Sequence, residues 1–232
     1  MMEQHGCDSA AYRFAKAYYI AKRAVLEEGY ANEVDWQYST SLDTLDETTF
    51  LREAAWVILC SGMREKVVSD KFQYISRAFL HWASADSIVE NAASCQRDAL
   101  VHFGNVRKIT AITQVAEIVA CSGMGEIVRN LCSCGVPYLE RFPFIGPITA
   151  FHLAKNIGLP CAKPDRHLAS IANRLGYNDA HSLCSEIAGV TDEPIPVVDI
   201  VLWRFATLHR PYLDRFLAAF RGANLGWEAC GR

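Results

Sequence analysis

Residues 141–150 read Arg141-Phe142-Pro143-Phe144-Ile145-Gly146-Pro147-Ile148-Thr149-Ala150, and nineteen residues after Gly146 stands Asp165, in Lys163-Pro164-Asp165-Arg166-His167-Leu168. Gly146 permits a tight turn, Pro147 suits the first position of a helix, and Thr149-Ala150-Phe151-His152-Leu153-Ala154 continues as an apolar helical run. A helix that starts beside an exposed turn presents unpaired N–H groups and the positive end of its dipole, a seat for an anion such as a phosphate. Asp165 stands just ahead of a second apolar run, Leu168-Ala169-Ile171-Ala172, where it is a good N-cap worth about 1 kcal/mol.

Helical spacing prevails on both sides of this stretch. Residues 9–29 repeat apolar positions (Ala10, Phe14, Ala17, Tyr18, Ala21, Ala24, Val25) and close at Gly29, whereas 30–46 are polar and acidic and read as a loop leading to a cap near Asp46. Helices are expected at about 47–60, 64–82, 85–99, 105–121, 124–132, 136–141, 147–157, 165–175, 179–187 and 195–221. Thr191-Asp192-Glu193-Pro194-Ile195-Pro196 breaks the chain before the last of them. Long alternating β runs, internal repeats and low-complexity tracts are absent, so the expected class is all-α. With 232 residues and 51% hydrophobic content the chain buries a sizeable core.

The net charge of −3 excludes a generally basic coat, yet its distribution is uneven: net −5 over residues 1–100, +4 over 101–175 and −2 over 176–232. The basic excess coincides with the Gly146 turn, as a localised phosphate footprint requires; chance variation among surface charges is the plainer alternative. Nine cysteines form no Cys-x-x-Cys pair; Cys132 and Cys134 are one residue apart, and the others are scattered. They read as reduced core cysteines rather than zinc ligands or disulfides. Met1 to Cys7 lacks the signature of a signal peptide and no apolar run approaches a bilayer span, which points to the cytoplasm.

The short helix 136–141, the apolar-Gly hairpin, the helix carrying Thr149-Ala150, and the Pro-Asp-x-His segment opening a helix that reaches Asn173-Arg174 together resemble the helix-hairpin-helix DNA glycosylase superfamily, including endonuclease III and adenine glycosylase. The likeness runs from about 50 to 210 and is specific from 141 to 174. It implies two helical lobes around a DNA-binding cleft, one of about 47–135, the other of about 1–46 plus 136–232. It places Asp165 as the catalytic aspartate and His167 in the position of the family's histidine. Phe144, Gly146, Ile148, Thr149, Lys163, Arg166 and His167 then contact double-stranded DNA, and a K+ or Na+ ion is implied on hairpin carbonyls near Phe142 and Phe144. Phe50 to Val68 is similar to the family's early core helix and following turn; Gly62 stands where the wedge glutamine is usual, leaving Met63 or Arg64 as the wedge. His102-Phe103-Gly104-Asn105-Val106-Arg107-Lys108-Ile109 is similar to the segment ahead of the hairpin. Some relatives carry a four-cysteine iron–sulfur cluster near the C-terminus, where this chain has only Cys230, so no cluster is expected.

The chemistry follows from the bond to be broken. Cleaving a base from deoxyribose builds positive charge on the sugar, which a nearby carboxylate stabilises while orienting or deprotonating water. Capping a helix and doing this chemistry are compatible roles for Asp165. Bifunctional relatives place a lysine two residues after the hairpin glycine; here it is Ile148, which forms no Schiff base, so a monofunctional enzyme leaving an abasic site is expected. Lys163 and Lys155 are the nearest alternative amines. Asp199, an acid in the apolar run Val197 to Leu202, either faces the cleft and bonds a flipped base or serves a salt bridge or helix start. Trp56, Trp82, Trp203 and Phe144 either stack on a base or pack in the core. Four possibilities stay open: repair of endogenous damage, removal of a modified base such as glucosylated hydroxymethylcytosine from phage DNA, a non-catalytic DNA-binding module, and a structural helical protein with no DNA role. A monomer is expected.

Overall fold

The computed structural model describes residues 10–221. Within them the chain is all-helical: thirteen α-helices and three short 3-10 helices, with no strand. In chain order the α-helices are α1 (Ala10–Glu27), α2 (Ala31–Ser39), α3 (Glu47–Cys60), α4 (Glu65–Ala78), α5 (Ala85–Glu90), α6 (Ala92–His102), α7 (Val106–Ser122) and α8 (Met124–Cys134), then α9 (Pro147–Asn156), α10 (Arg166–Leu175), α11 (Ala180–Thr191), α12 (Ile195–Leu208) and α13 (Tyr212–Phe220). The 3-10 helices are Leu42–Thr44, Leu80–Trp82 and Val136–Arg141. The first and last segments of the sequence, including Met1 to Cys7 and Cys230, lie outside the described residues.

The chain divides into two compact units, one of residues up to 39 with those from 160 onward, the other of 40–159. Residues 136–159, which the sequence reading grouped with the termini, therefore go with the middle helices. Packing explains the difference: Val136–Arg141 rests on α8 and α9, α9 rests on α3, and the Phe142 ring lies 5.2 Å from that of Phe50.

In the terminal unit α1 packs on α11, α12 and α13 through Phe14, Ala17, Tyr18, Ala21 and Val25, the three-to-four spacing that gives a helix one apolar face. Helix α12 is buried over most of its surface. Helix α2 forms where a loop is expected because its polar residues meet specific partners. Glu33 takes a two-pronged bond from Arg204 (3.0 and 2.6 Å), Val34 and Gln37 are buried, and Tyr38 shares Glu193 with Lys22. The expected 195–221 helix is two helices, parted by Pro211, whose missing N–H and ring break the ladder.

In the middle unit α3 is the central element and packs on α4, α7 and α9. The expected 64–82 helix stops at Ala78, after which Leu80, His81 and Trp82 all take positive φ (54°, 53° and 63°) in a left-handed turn held by the buried, Phe79-stacked indole of Trp82. The expected 85–99 helix is broken near Asn91. Gly158 lies at φ 97° with the backbone of Ser41 and Leu42 against it, where a Cβ would come within 2.3 Å of the Leu42 nitrogen. Among the described residues no single helix is long and apolar enough to cross a membrane; α7 and α8 reach that apolarity only together, across a 97° bend at Gly123.

Candidate functional site

The 142–149 turn belongs to the middle unit. Ile145 N–H closes it on the Phe142 carbonyl at 3.1 Å, Phe144 sits in the left-handed region at φ 64°, and Gly146 caps α9 with Pro147 at its first position. The Thr149 hydroxyl accepts from the Gly146 N–H at 2.7 Å and donates to the Gly146 carbonyl at 3.0 Å, so it fastens the turn to the helix. The Ile148 and Thr149 amides find no acceptor among the described residues, which leaves two donors and the helix dipole facing outward. Ile148 is 57% exposed, and Phe144 is exposed with the Arg107 guanidinium over its ring at 5.7 Å. The turn thus offers N–H donors, an aromatic ring and a nearby cation, a combination suited to a phosphate and the group beside it.

For the alkali cation implied by the family likeness, this turn offers backbone carbonyls only. That of Phe142 already accepts from Ile145, and that of Gly146 from both Thr149 and Ala150. The Phe144 carbonyl accepts no backbone bond among the described residues and is open to such an ion. Among the described residues there is no group of three or more His, Cys, Asp or Glu that could hold a metal. Of the cysteines expected in the core, Cys95, Cys161 and Cys184 are buried, whereas Cys121, Cys132 and Cys134 are exposed because they fall on outer helix faces.

Ahead of α4, Met63 (42% exposed) and Arg64 stand on the surface after Gly62, which takes φ 67°. The turn is held from below by Lys108, buried on α7, whose Nζ donates to the Leu59 carbonyl at 2.7 Å and the Ser61 carbonyl at 2.5 Å. Burial depresses the Lys108 pKa, opposed by nearby Cys60. Trp56 is half-buried against Phe72 at 5.1 Å and Trp82 is fully buried, so the latter is a core residue and offers no face to a base. Lys155 is buried on α9.

Asp165 lies in the terminal unit at the start of α10. Its Oδ1 accepts from the His167 and Leu168 N–H groups at 2.8 and 3.0 Å, while Oδ2 has no partner among the described residues. One oxygen caps the helix and the other is presented. The segment before it is pinned by Asp199, only 2% exposed on α12, whose Oδ2 accepts the Lys163 N–H at 2.7 Å. Asp199 therefore positions the approach to Asp165 and presents no edge to a base. Trp203 is half-buried with the Arg204 guanidinium 4.6 Å from its ring centre, while Arg204 also covers Tyr30 and pairs with Glu33, so Trp203 supports that buried cluster. Arg166 is exposed, and its Nε donates toward His167 Nε2 at 3.5 Å. The His167 ring meets Tyr212 edge-on at 5.2 Å. Burial, with the charges of Arg166 and Arg210, lowers the His167 pKa against the pull of Asp165.

Arg210 and the positioning role of Asp199 escaped the sequence reading, which quoted Arg107 and Lys108 only as part of the 102–109 segment and gave neither a contact. The basic excess of residues 101–175 was the signal for Arg107; an acid inside an apolar run was the signal for Asp199. Comparison of the chain with protein-family models, curated proteins and solved structures finds no match.

Proposed function

We propose that this protein is a monofunctional DNA N-glycosylase of the helix-hairpin-helix kind, with 136–156 as its hairpin motif in a two-lobed helical fold. The observation that carries the reading is Asp165, with one oxygen committed to the α10 cap and the other without a partner, which holds a carboxylate rigidly while leaving it a reactive edge. The 142–149 turn supplies a phosphate seat, and Met63 and Arg64 are wedge candidates on the surface.

In the proposed reaction the C1′–N bond breaks and its electron pair leaves with the base. The Asp165 carboxylate stabilises the positive sugar and takes a proton as water adds to C1′, giving the abasic sugar. Ile148 has no amine to attack C1′, so strand cleavage does not follow. The substrate is a damaged base in the cell's own DNA or a modified base such as glucosylated hydroxymethylcytosine in phage DNA, acted on by a cytoplasmic monomer without a cofactor. Incubation with a panel of damaged duplexes and phage genomic DNA, followed by heating in alkali, tests this. Alkali-dependent breaks are the expected result, and breaks without alkali would sink the monofunctional assignment.

The Asp165 cap also favours a second reading, a non-catalytic DNA-binding protein in which the carboxylate only starts α10. That reading is preferred if DNA binds but no base is released from any substrate.

A further inference from the structure

A cavity of about 610 Å3 opens in the terminal unit between the start of α10 and the junction of α12 and α13. Arg166, His167 and Ser170 line it from α10, and Thr207, Arg210 and Tyr212 from the junction. Neither Arg166 nor Arg210 has a carboxylate partner among the described residues, although both lie close enough to the His167 imidazole to disfavour its charged form. Arg166 and Arg210 thus line one cavity together with the His167 imidazole, and the Asp165 carboxylate is close enough to act on that imidazole in the opposite sense.

The neutral groups sort themselves by hydrogen bonding. The Ser170 and Thr207 hydroxyls already donate to the carbonyls of Arg166 and Arg204, at 2.7 and 2.8 Å. With the neutral imidazole assigned the Nδ1–H tautomer from the 3.5 Å approach of Arg166 Nε to His167 Nε2, Nδ1 is a donor. The Tyr212 hydroxyl has no partner among the described residues. Donors available to a ligand are therefore two guanidinium forks, an imidazole N–H and a phenol, a set that matches a phosphate, whose oxygens only accept. The volume far exceeds a phosphate ion and falls in the range of about 300–1,000 Å3 usual for small-molecule pockets.

We propose that this cavity is a second phosphate seat, separate from the 142–149 turn, taking the phosphate of a nucleotide with its sugar or base against Tyr212. The phosphate belongs either to a polynucleotide strand, in which case the seat rests on the DNA-binding reading above, or to a free nucleotide, in which case it does not.

The test uses the full chain and the variants Arg166→Gln and Arg210→Gln, with Arg23→Gln, an exposed arginine of α1 paired to Glu27, as the control. Affinity for unmodified duplex DNA is measured across a salt series, and dAMP and inorganic phosphate binding by calorimetry. A polynucleotide seat predicts that each variant lowers the slope of log affinity against log salt by about 0.9 relative to Arg23→Gln. A free-nucleotide seat predicts unchanged slopes, with dAMP bound by wild type and lost at least tenfold in both variants. If both variants match Arg23→Gln for duplex, dAMP and phosphate, the seat is overturned. Because no arm requires base release, loss of the glycosylase reading leaves this test intact. Base release by wild type with unaltered slopes and dAMP binding overturns the seat alone.

Discussion

Phe144 occupies a backbone conformation that disfavours a side chain by roughly 1–2 kcal/mol, and it does so in the turn whose amides face outward. The ring is exposed under Arg107 rather than packed inward, so it is accessible to a partner and is not fixed by core packing. Phe144→Gly relieves the strain but frees the unfolded chain, so stability measured in urea is expected to stay within about 1 kcal/mol of wild type. DNA affinity is expected to fall severalfold; unchanged affinity would remove Phe144 from the interface. Gly158 is the opposite case, a residue whose missing Cβ is required by the fold. Gly158→Ala meets the Ser41–Leu42 backbone in an unfavourable φ and is expected to cost roughly 3–5 kcal/mol in thermal denaturation, whereas a loss below 1 kcal/mol would contradict that packing. The sequence showed Gly146, Asp165 and Ile148 plainly because their effects are local. The crowding at Gly158 depends on Ser41 and Leu42, distant in the chain, and no local pattern announces it.

Among the elements, α3 and α9 are joined by a buried polar contact, Glu53 Oε2 accepting from Asn156 Nδ2 at 2.8 Å, with Arg52 on the other oxygen. Burial raises the Glu53 pKa, opposed by Arg52 and Asn156. The folded pKa thus lies above the unfolded one, so the stability linked to this group is complete below the unfolded value and is lost as pH rises through the folded value. Glu53→Gln keeps a bonding partner without the buried charge. It is expected to be more stable than wild type at pH 7, with the difference shrinking as pH falls through the carboxylate range and vanishing once both states are protonated. Lower stability than wild type at pH 7 would show that the Arg52 pairing outweighs burial. Elements with strong apolar periodicity, such as α1, α3 and α7, were legible in the sequence. Helix α2 was not, because the Glu33–Arg204 ion pair that holds it joins residues 171 positions apart, and its Tyr38 is held through Lys22 and Glu193, outside its own pattern. Pro211 was in plain view, and the uninterrupted 195–221 helix overrode a breaker that the structure respects.

At the scale of the whole molecule, the middle unit is one continuous stretch, 40–159, with its own buried core of Phe50, Ile58, Leu59, Ile75, Ile109, Ile127 and Leu153. Expressed alone it is expected to be helical and to unfold cooperatively by circular dichroism; a non-cooperative melt would show that it is not a folding unit. The all-helical class was legible from periodicity, but the boundary was not, because 136–159 carries the same helical spacing whichever unit it packs on. The central claim rests on one carboxylate oxygen, and the most direct measurement compares base release by wild type and Asp165→Asn under single-turnover conditions, with duplex affinity measured alongside. The account predicts release by wild type only, with the variant folded and its DNA affinity within about twofold, since asparagine keeps a capping oxygen. Equal release by Asp165→Asn, or no release by wild type from any substrate, would contradict it.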